Sequence, residues 1–170
     1  KPAEQTPASI LKVAELIGDL LPPGVLNIVN GFGAEAGQAL ATSKRIAKIA
    51  FTGSTAVGRQ IAKTVAGSEK RLTLELGGKG ANIVFDDAAM DEAIEGIVNG
   101  IFFNQGHVCC AGSRLFVQES VMKTVVRKLK DRMETLIVGD PLDKNTDIGA
   151  INSRRQLDRI KELVDRKSVV

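Results

Sequence analysis

The sequence predicts an α/β fold, a mostly parallel sheet with covering helices, and three features carry that expectation. Short apolar runs rich in branched residues alternate with segments whose apolar residues recur at helical spacing. Glycine-rich stretches follow several of those runs and lead directly into helical segments, as turns between a strand and a crossover helix do. Trp and Tyr are absent and there are only six Phe in 170 residues. The core must therefore rest on Val, Ile, Leu and Ala, the side chains that fill parallel strands.

Taken in order, Thr6-Pro7 reads as a helix start, an N-cap followed by a residue suited to the first turn. Ile10, Val13, Ala14, Ile17, Leu20 and Leu21 continue it at helical spacing until Pro22-Pro23-Gly24 stops it. Residues 25–29 (Val-Leu-Asn-Ile-Val) read as a short buried strand, with Asn30-Gly31 turning the chain. A second helix covers 34–41, a strand 46–51, and a helix 55–66 after the loop Thr52-Gly53-Ser54. Strands follow at 71–76 and 81–85. Asp86 and Asp87 open a helix to about Phe103, where acidic residues suit the positive end of the dipole. A loop spans 104–112 and a strand 115–118. Val121, Val125, Leu129 and Met133 mark a further helix, broken by Gly139-Asp140-Pro141, and Leu157, Ile160 and Val164 a last one. No internal repeat or low-complexity segment interrupts the pattern.

Composition narrows the function classes. Hydrophobic residues make up 44% and charged residues 25%, the balance of a globular chain with a sizeable core. A net charge of +3 is small. Lys128, Lys130 and Arg132 alternate with other residue types along one helix, which reads as a solvated face and gives no nucleic-acid stripe. No apolar run reaches membrane-spanning length and no signal peptide is visible, so no membrane partner is expected and the expected location is cytoplasmic. The chain begins Lys-Pro-Ala-Glu without a Met and stops just after a helical pattern, so both ends read as cuts. Cys109 and Cys110 are adjacent, a spacing that strains a structural disulfide. With His107 the single histidine, no zinc spacing exists and no metal is expected.

Four stretches carry candidate chemistry. Gly31-Phe-Gly33-Ala-Glu-Ala-Gly37 follows one expected strand and opens a helix, as a dinucleotide-binding turn should, although its last glycine comes one residue late. An ordinary Gly-rich turn would read the same. Phe51-Thr-Gly53-Ser54-Thr-Ala-Val-Gly58 also joins strand to helix; Ser54 can cap the helix or hydrogen-bond a phosphate. Leu74-Glu75-Leu76-Gly-Gly-Lys79 puts a carboxylate at a strand end, where parallel sheets place ligands. Burial there would raise its pKa and fit it as a base, whereas a solvent-facing Glu would do nothing of the kind. Asn104-Gln-Gly-His107-Val-Cys109-Cys110-Ala-Gly112 surrounds a thiol with small residues in a loop. A thiolate is a strong nucleophile where its pKa is lowered, and a free cysteine is otherwise an inert one. A Cys109–His107 dyad and a thiol redox pair of Cys109 with Cys110 stay open on these residues alone.

In this order the four stretches, together with Lys1-Pro-Ala-Glu4 and the phrase Glu4-Gln-Thr-Pro7, resemble the aldehyde dehydrogenase superfamily along nearly the whole chain. The resemblance implies an internal fragment, with 1–75 the C-terminal part of a Rossmann-like NAD-binding domain and 76–170 the start of the thiol-bearing catalytic domain. It implies that Lys1 and Glu4 meet the adenosine ribose and that Gly33 and Gly37 lie beside the adenine. Gly53, Ser54, Val57, Gly58 and Leu76 are then further cofactor contacts. Phe103-Asn-Gln-Gly106 leading to Cys109 matches the cysteine signature, and the 34-residue interval from Glu75 selects Cys109 over Cys110 as the nucleophile. Glu75 becomes the base that activates water. The implied reaction is oxidation of an aldehyde to a carboxylic acid with NAD, or NADP, through a thiohemiacetal and a thioester.

Within the resemblance, the presence of Glu75 implies hydrolysis over transfer to coenzyme A, since acylating relatives generally lack this glutamate. Glu4 favours NAD, because a carboxylate repels a 2'-phosphate. The partners implied are a small aldehyde and, for the full-length protein, a second copy in a dimer or tetramer. Three departures stand out. His107 occupies a position where Gln or Glu is commoner, and Gly80-Ala81 replaces Ser-Pro. The family's oxyanion-stabilising Asn and the glutamate that holds the nicotinamide ribose have no counterpart within these residues. The chain alone is therefore expected to turn over little or not at all. The competing reading is a non-catalytic nucleotide-binding or scaffold module of the same fold.

Overall fold

Strands β1 (Lys48–Gly53) and β2 (Arg71–Leu76) lie parallel, with Lys48 opposite Arg71, Thr52 opposite Glu75 and Gly53 opposite Leu76. Side chains alternate as a strand requires. Leu72, Leu74 and Leu76 are half-buried, while Arg71, Thr73 and Glu75 are exposed. Helix α3 (Thr55–Val65) connects the two strands, the crossover that a parallel pair needs. Ser54 caps it by accepting the Val57 N–H at 3.3 Å. Val65 and Gly58 are its buried residues. Gly58 is set by close packing: a Cβ there would come within 2.5 Å of Leu76 Cδ2, so a bare backbone lets the helix approach the strand.

These elements belong to the first of two compact units, Lys1–Gly77 and Gly78–Val170. The computed structural model describes residues 1–165. The first unit begins with α1 (Pro7–Leu16), which gives way to a single 3₁₀ turn at Gly18–Leu20. A wide turn at Gly33–Gly37 runs into the short α2 (Gln38–Thr42).

The strand expected at 25–29 is not there. Val25 donates to the Pro22 carbonyl (3.2 Å) and Asn27 Nδ2 to that of Gly24 (2.7 Å), so a local turn engages these groups. Val25, Leu26 and Val29 are exposed, and no strand pairs with them among the described residues. An apolar run records a need for burial; it carries no information about which strand, if any, lies alongside.

In the second unit β3 (Ala81–Val84) pairs in parallel with β4 (Arg114–Val117), Ala81 opposite Arg114. The expected sheet is thus realised as two parallel pairs, one in each unit. Helices α4 (Met90–Phe102) and α5 (Met122–Met133) cover the second pair. Val84, Ile94, Ile97 and Val125 form its core, with Val117, Val121 and Leu129 packed against them. Two ion pairs tie the helices, Asp91 with Lys128 and Glu95 with Arg132 (2.7 Å); each partner is spaced i,i+4 on its own helix, so both pairs fall on one face. The hydrogen bond that Arg132 donates to the Glu95 carboxylate raises the guanidinium above its ordinary pKa, with desolvation acting in the opposite direction.

Helix α4 starts four residues later than its acidic opening predicts, because Asp86 is engaged elsewhere. Its N–H donates to Gln118 Oε1 (3.2 Å), and its carboxylate accepts from Gln118 Nε2 (2.9 Å). Asp91 and Glu92 fill the first turn instead. Beyond α5, Val138 bridges Ile148 and α6 (Arg154–Asp165) closes the described chain. No described helix is long and apolar enough to cross a membrane.

Candidate active site

In the first unit the N-terminal segment is fastened to the Gly31–Gly37 turn by its own charged groups. Lys1 Nζ donates to the Gly31 carbonyl (2.9 Å) and to that of Pro2 (2.8 Å). Glu4 Oε1 accepts the Gly33 N–H at 2.6 Å and lies 3.9 Å from Lys1 Nζ. Cβ atoms built on Gly33 and Gly37 would lie 3.5 Å from Glu4 Oε1 and 3.8 Å from Lys1 Cε. Lys1, Glu4, Gly33 and Gly37 are therefore one cluster: a carboxylate, an ammonium and two bare backbone positions, partly open to solvent.

Gly31 makes this turn possible. Its φ is +142°, and a Cβ would sit 2.9 Å from that of Ala36. Gly31→Ala is expected to lose about 1–3 kcal/mol of stability, checked by urea unfolding; a change near zero would contradict this account of the turn.

The second cluster surrounds the β1–α3 junction. Gly53 ends β1 opposite Leu76, Ser54 holds the Val57 N–H, and Gly58 packs beneath Leu76. All five expected cofactor contacts of this junction thus meet at the C-terminal end of the parallel pair, the edge where open α/β sheets bind ligands. Glu75, one residue before that edge, is exposed and shares a face with Arg71 and Thr73. The burial that would have made it a base is not supplied by its own strand pair.

In the second unit Val108 accepts the Ala111 N–H at 3.0 Å, which puts Cys109 and Cys110 at the two central positions of a tight turn. Both are free and exposed. The glycine stretch after β2 runs along this turn: Cβ atoms on Gly78 and Gly80 would lie 3.7 Å from the Cys109 carbonyl oxygen and 3.4 Å from that of Ala111. Arg114 fixes the stretch, its Nε donating to the Lys79 carbonyl (3.0 Å) and its backbone N–H to that of Gly80 (3.1 Å). Asn82 Nδ2 donates to the Gly112 carbonyl at 3.2 Å.

Between α4 and the cysteine turn the backbone reverses hand. Asn104 (φ 49°), Gln105 (φ 54°) and Gly106 (φ 74°) are all left-handed, which for the first two costs about 1–3 kcal/mol each. Sequence reasoning found the loop but missed this reversal, together with Arg114 and Asn82. The Asn-Gln-Gly order carried a signal, since Asn and Gly are the residues most at ease there. No cluster of His, Cys, Asp and Glu that could hold a metal ion occurs among the described residues.

The model of the aldehyde dehydrogenase family matches residues 1–169. The chain belongs to the aldehyde dehydrogenase family. An acetaldehyde dehydrogenase of Pseudomonas aeruginosa is 53% identical, over 97% of this chain and 34% of its own length. The NAD-dependent aldehyde dehydrogenase of Sinorhizobium meliloti superimposes with a TM-score of 0.94 at 41% identity, over 96% of this chain and 33% of that one. PnpE of Pseudomonas sp. WBC-3, solved in complex with nicotinamide adenine dinucleotide, gives 0.91 at 43%, over 94% and 33%. The chain thus spans about a third of the length of the aldehyde dehydrogenases it matches.

Proposed function

We propose that this chain carries cofactor-binding and thiol-bearing parts of an NAD-dependent aldehyde dehydrogenase, with residues 1–75 belonging to the NAD-binding domain and 76–170 to the catalytic domain. The observation that carries the reading is the packing of Gly78–Gly80 along the Cys109–Ala111 turn. The glutamate signature ends in that stretch, so its last glycine, Gly78, lies beside the cysteine turn within the second unit.

The first-unit clusters suit a dinucleotide. Glu4 offers a carboxylate to a ribose hydroxyl. Gly33 and Gly37 leave room for a flat ring where side chains would project, and Lys1 supplies a cation. Gly53, Ser54, Val57, Gly58 and Leu76 form the second contact region, at a helix start favourable to anions. When bound, NAD supplies the two-electron oxidation by accepting a hydride from the carbon attached to sulfur.

The protein's own residues perform the remaining chemistry. The Cys109 thiolate attacks the aldehyde carbon; a C–S bond forms and the carbonyl π pair moves to oxygen. The N–H of Cys109, at a turn position whose N–H does not close the turn, is a donor for that oxyanion. Once the carbon is oxidised, a thioester remains on Cys109. By the family resemblance Glu75, exposed on its own strand pair, takes the proton of water; the water oxygen attacks the thioester carbon, the C–S bond breaks, the thiolate returns, and a carboxylic acid leaves. We place this activity in the full-length protein, as a homo-oligomer, and expect the 170-residue chain alone to be essentially inactive.

The test supplies the full-length protein with an aldehyde and NAD. NADH and carboxylic acid forming in equal amounts is the expected result. NAD binding without NADH formation would make the protein a nucleotide-binding scaffold. Cofactor choice gives a finer prediction. Glu4→Gln keeps an oxygen for the Gly33 N–H but removes the charge. The ratio of kcat/KM for NAD to that for NADP should fall about tenfold, the equivalent of ~1.4 kcal/mol; an unchanged ratio would remove Glu4 from cofactor discrimination.

A further inference from the structure

We propose that His107 is a positioning residue that holds the left-handed turn leading into Cys109; the proposal rests on the reading of Cys109 as nucleophile. Its ring Nδ1 lies 3.0 Å from the Gln105 carbonyl oxygen and 3.2 Å from that of Asn104. Both partners are acceptors only, so Nδ1 carries the proton and the imidazole donates to both. The His107 backbone N–H also donates to the Asn104 carbonyl, at 3.0 Å. The two carbonyls engaged are those of Asn104 and Gln105, the non-glycine residues at positive φ.

One side chain therefore clamps the segment that most needs an external restraint. Gly106, the third left-handed residue, is committed by sterics as well, since a Cβ there would come within 3.1 Å of the Ile101 carbonyl oxygen. The link from this turn to the thiol is short: after His107 only Val108 precedes Cys109. The direction in which the chain leaves α4 thus sets where the sulfur stands.

The role predicts a discriminating series. Asn at 107 carries an N–H₂ one bond from Cγ, as the imidazole does at Nδ1, and can donate to the same carbonyls. Phe matches the ring in shape and donates nothing. In the full-length protein, assayed with aldehyde and NAD beside Cys109→Ala, we expect His107→Phe to lower kcat and the NADH burst rate about 10–100-fold, with KM for NAD changed less than ~twofold and His107→Asn within ~threefold of the unsubstituted protein. Amide exchange at 104–107 should quicken in the Phe variant only. Because the ring is exposed, the variants are expected to fold; if the Phe variant does not, His107→Ala carries the same expectation. Full turnover by the donor-less variant, or an Asn variant as impaired as it, overturns the proposal. If Cys109→Ala still turns over, the reading of the site falls and this role with it. If Cys109→Ala is dead and the donor-less variant is not, the positioning role alone falls.

Discussion

Cys109→Ala is expected to lower aldehyde-dependent NADH formation by the full-length protein on the order of 10³-fold or more, while Cys110→Ala stays within about threefold. The two thiols are covalent neighbours, equally free and exposed, on one tight turn. General reactivity gives no reason to prefer either. The preference comes from the family resemblance, in which the 34-residue interval from Glu75 selects Cys109. Losing the nucleophile removes covalent catalysis and leaves only binding and the oxyanion donors, hence the size of the effect. Initial rates with saturating NAD, compared with the fraction of protein that still binds NAD, separate lost chemistry from lost folding. Equal loss in both variants would mean that the turn as a whole matters and that no single sulfur reacts.

Glu75→Gln is expected to split the reaction in time. A burst approaching one NADH per site should remain, followed by a steady state slower by about 10²–10⁴-fold. Glutamine keeps the size and hydrogen-bonding capacity of the side chain but cannot take a proton from water, so oxidation proceeds and hydrolysis stalls. Stability should change by no more than ~0.5 kcal/mol, because Glu75 is exposed on the face of β2 shared with Arg71 and Thr73. Stopped-flow absorbance of NADH resolves the two phases. Loss of the burst together with the steady state would assign Glu75 to an earlier step.

The legibility of this chain in its sequence follows the range of the interactions involved. Strand β2 was readable to the residue, because Leu72, Leu74 and Leu76 alternate with Arg71, Thr73 and Glu75 and local alternation is all that a half-covered strand needs. The start of α3 was readable from Ser54, whose cap reaches only three residues ahead. The start of α4 was not, because Gln118 claims Asp86 from 32 residues away. The segment 25–29 failed for a similar reason: its apolar character was plain, and its lack of a ladder partner was not written in it. At the site, the cluster of Lys1 and Glu4 with Gly33 and Gly37 entered through family resemblance, since contacts across 29 and 30 residues have no local signal. The backbone reversal at Asn104 and Gln105, which the His107 ring restrains, escaped both routes.

The most direct test of the account is to quench Glu75→Gln protein after its NADH burst and digest it for mass spectrometry. The account predicts the acyl group of the supplied aldehyde as a thioester on the peptide containing Cys109, localised to Cys109 by fragmentation and absent when NAD is omitted. An unmodified Cys109, or the acyl group on Cys110, would contradict it.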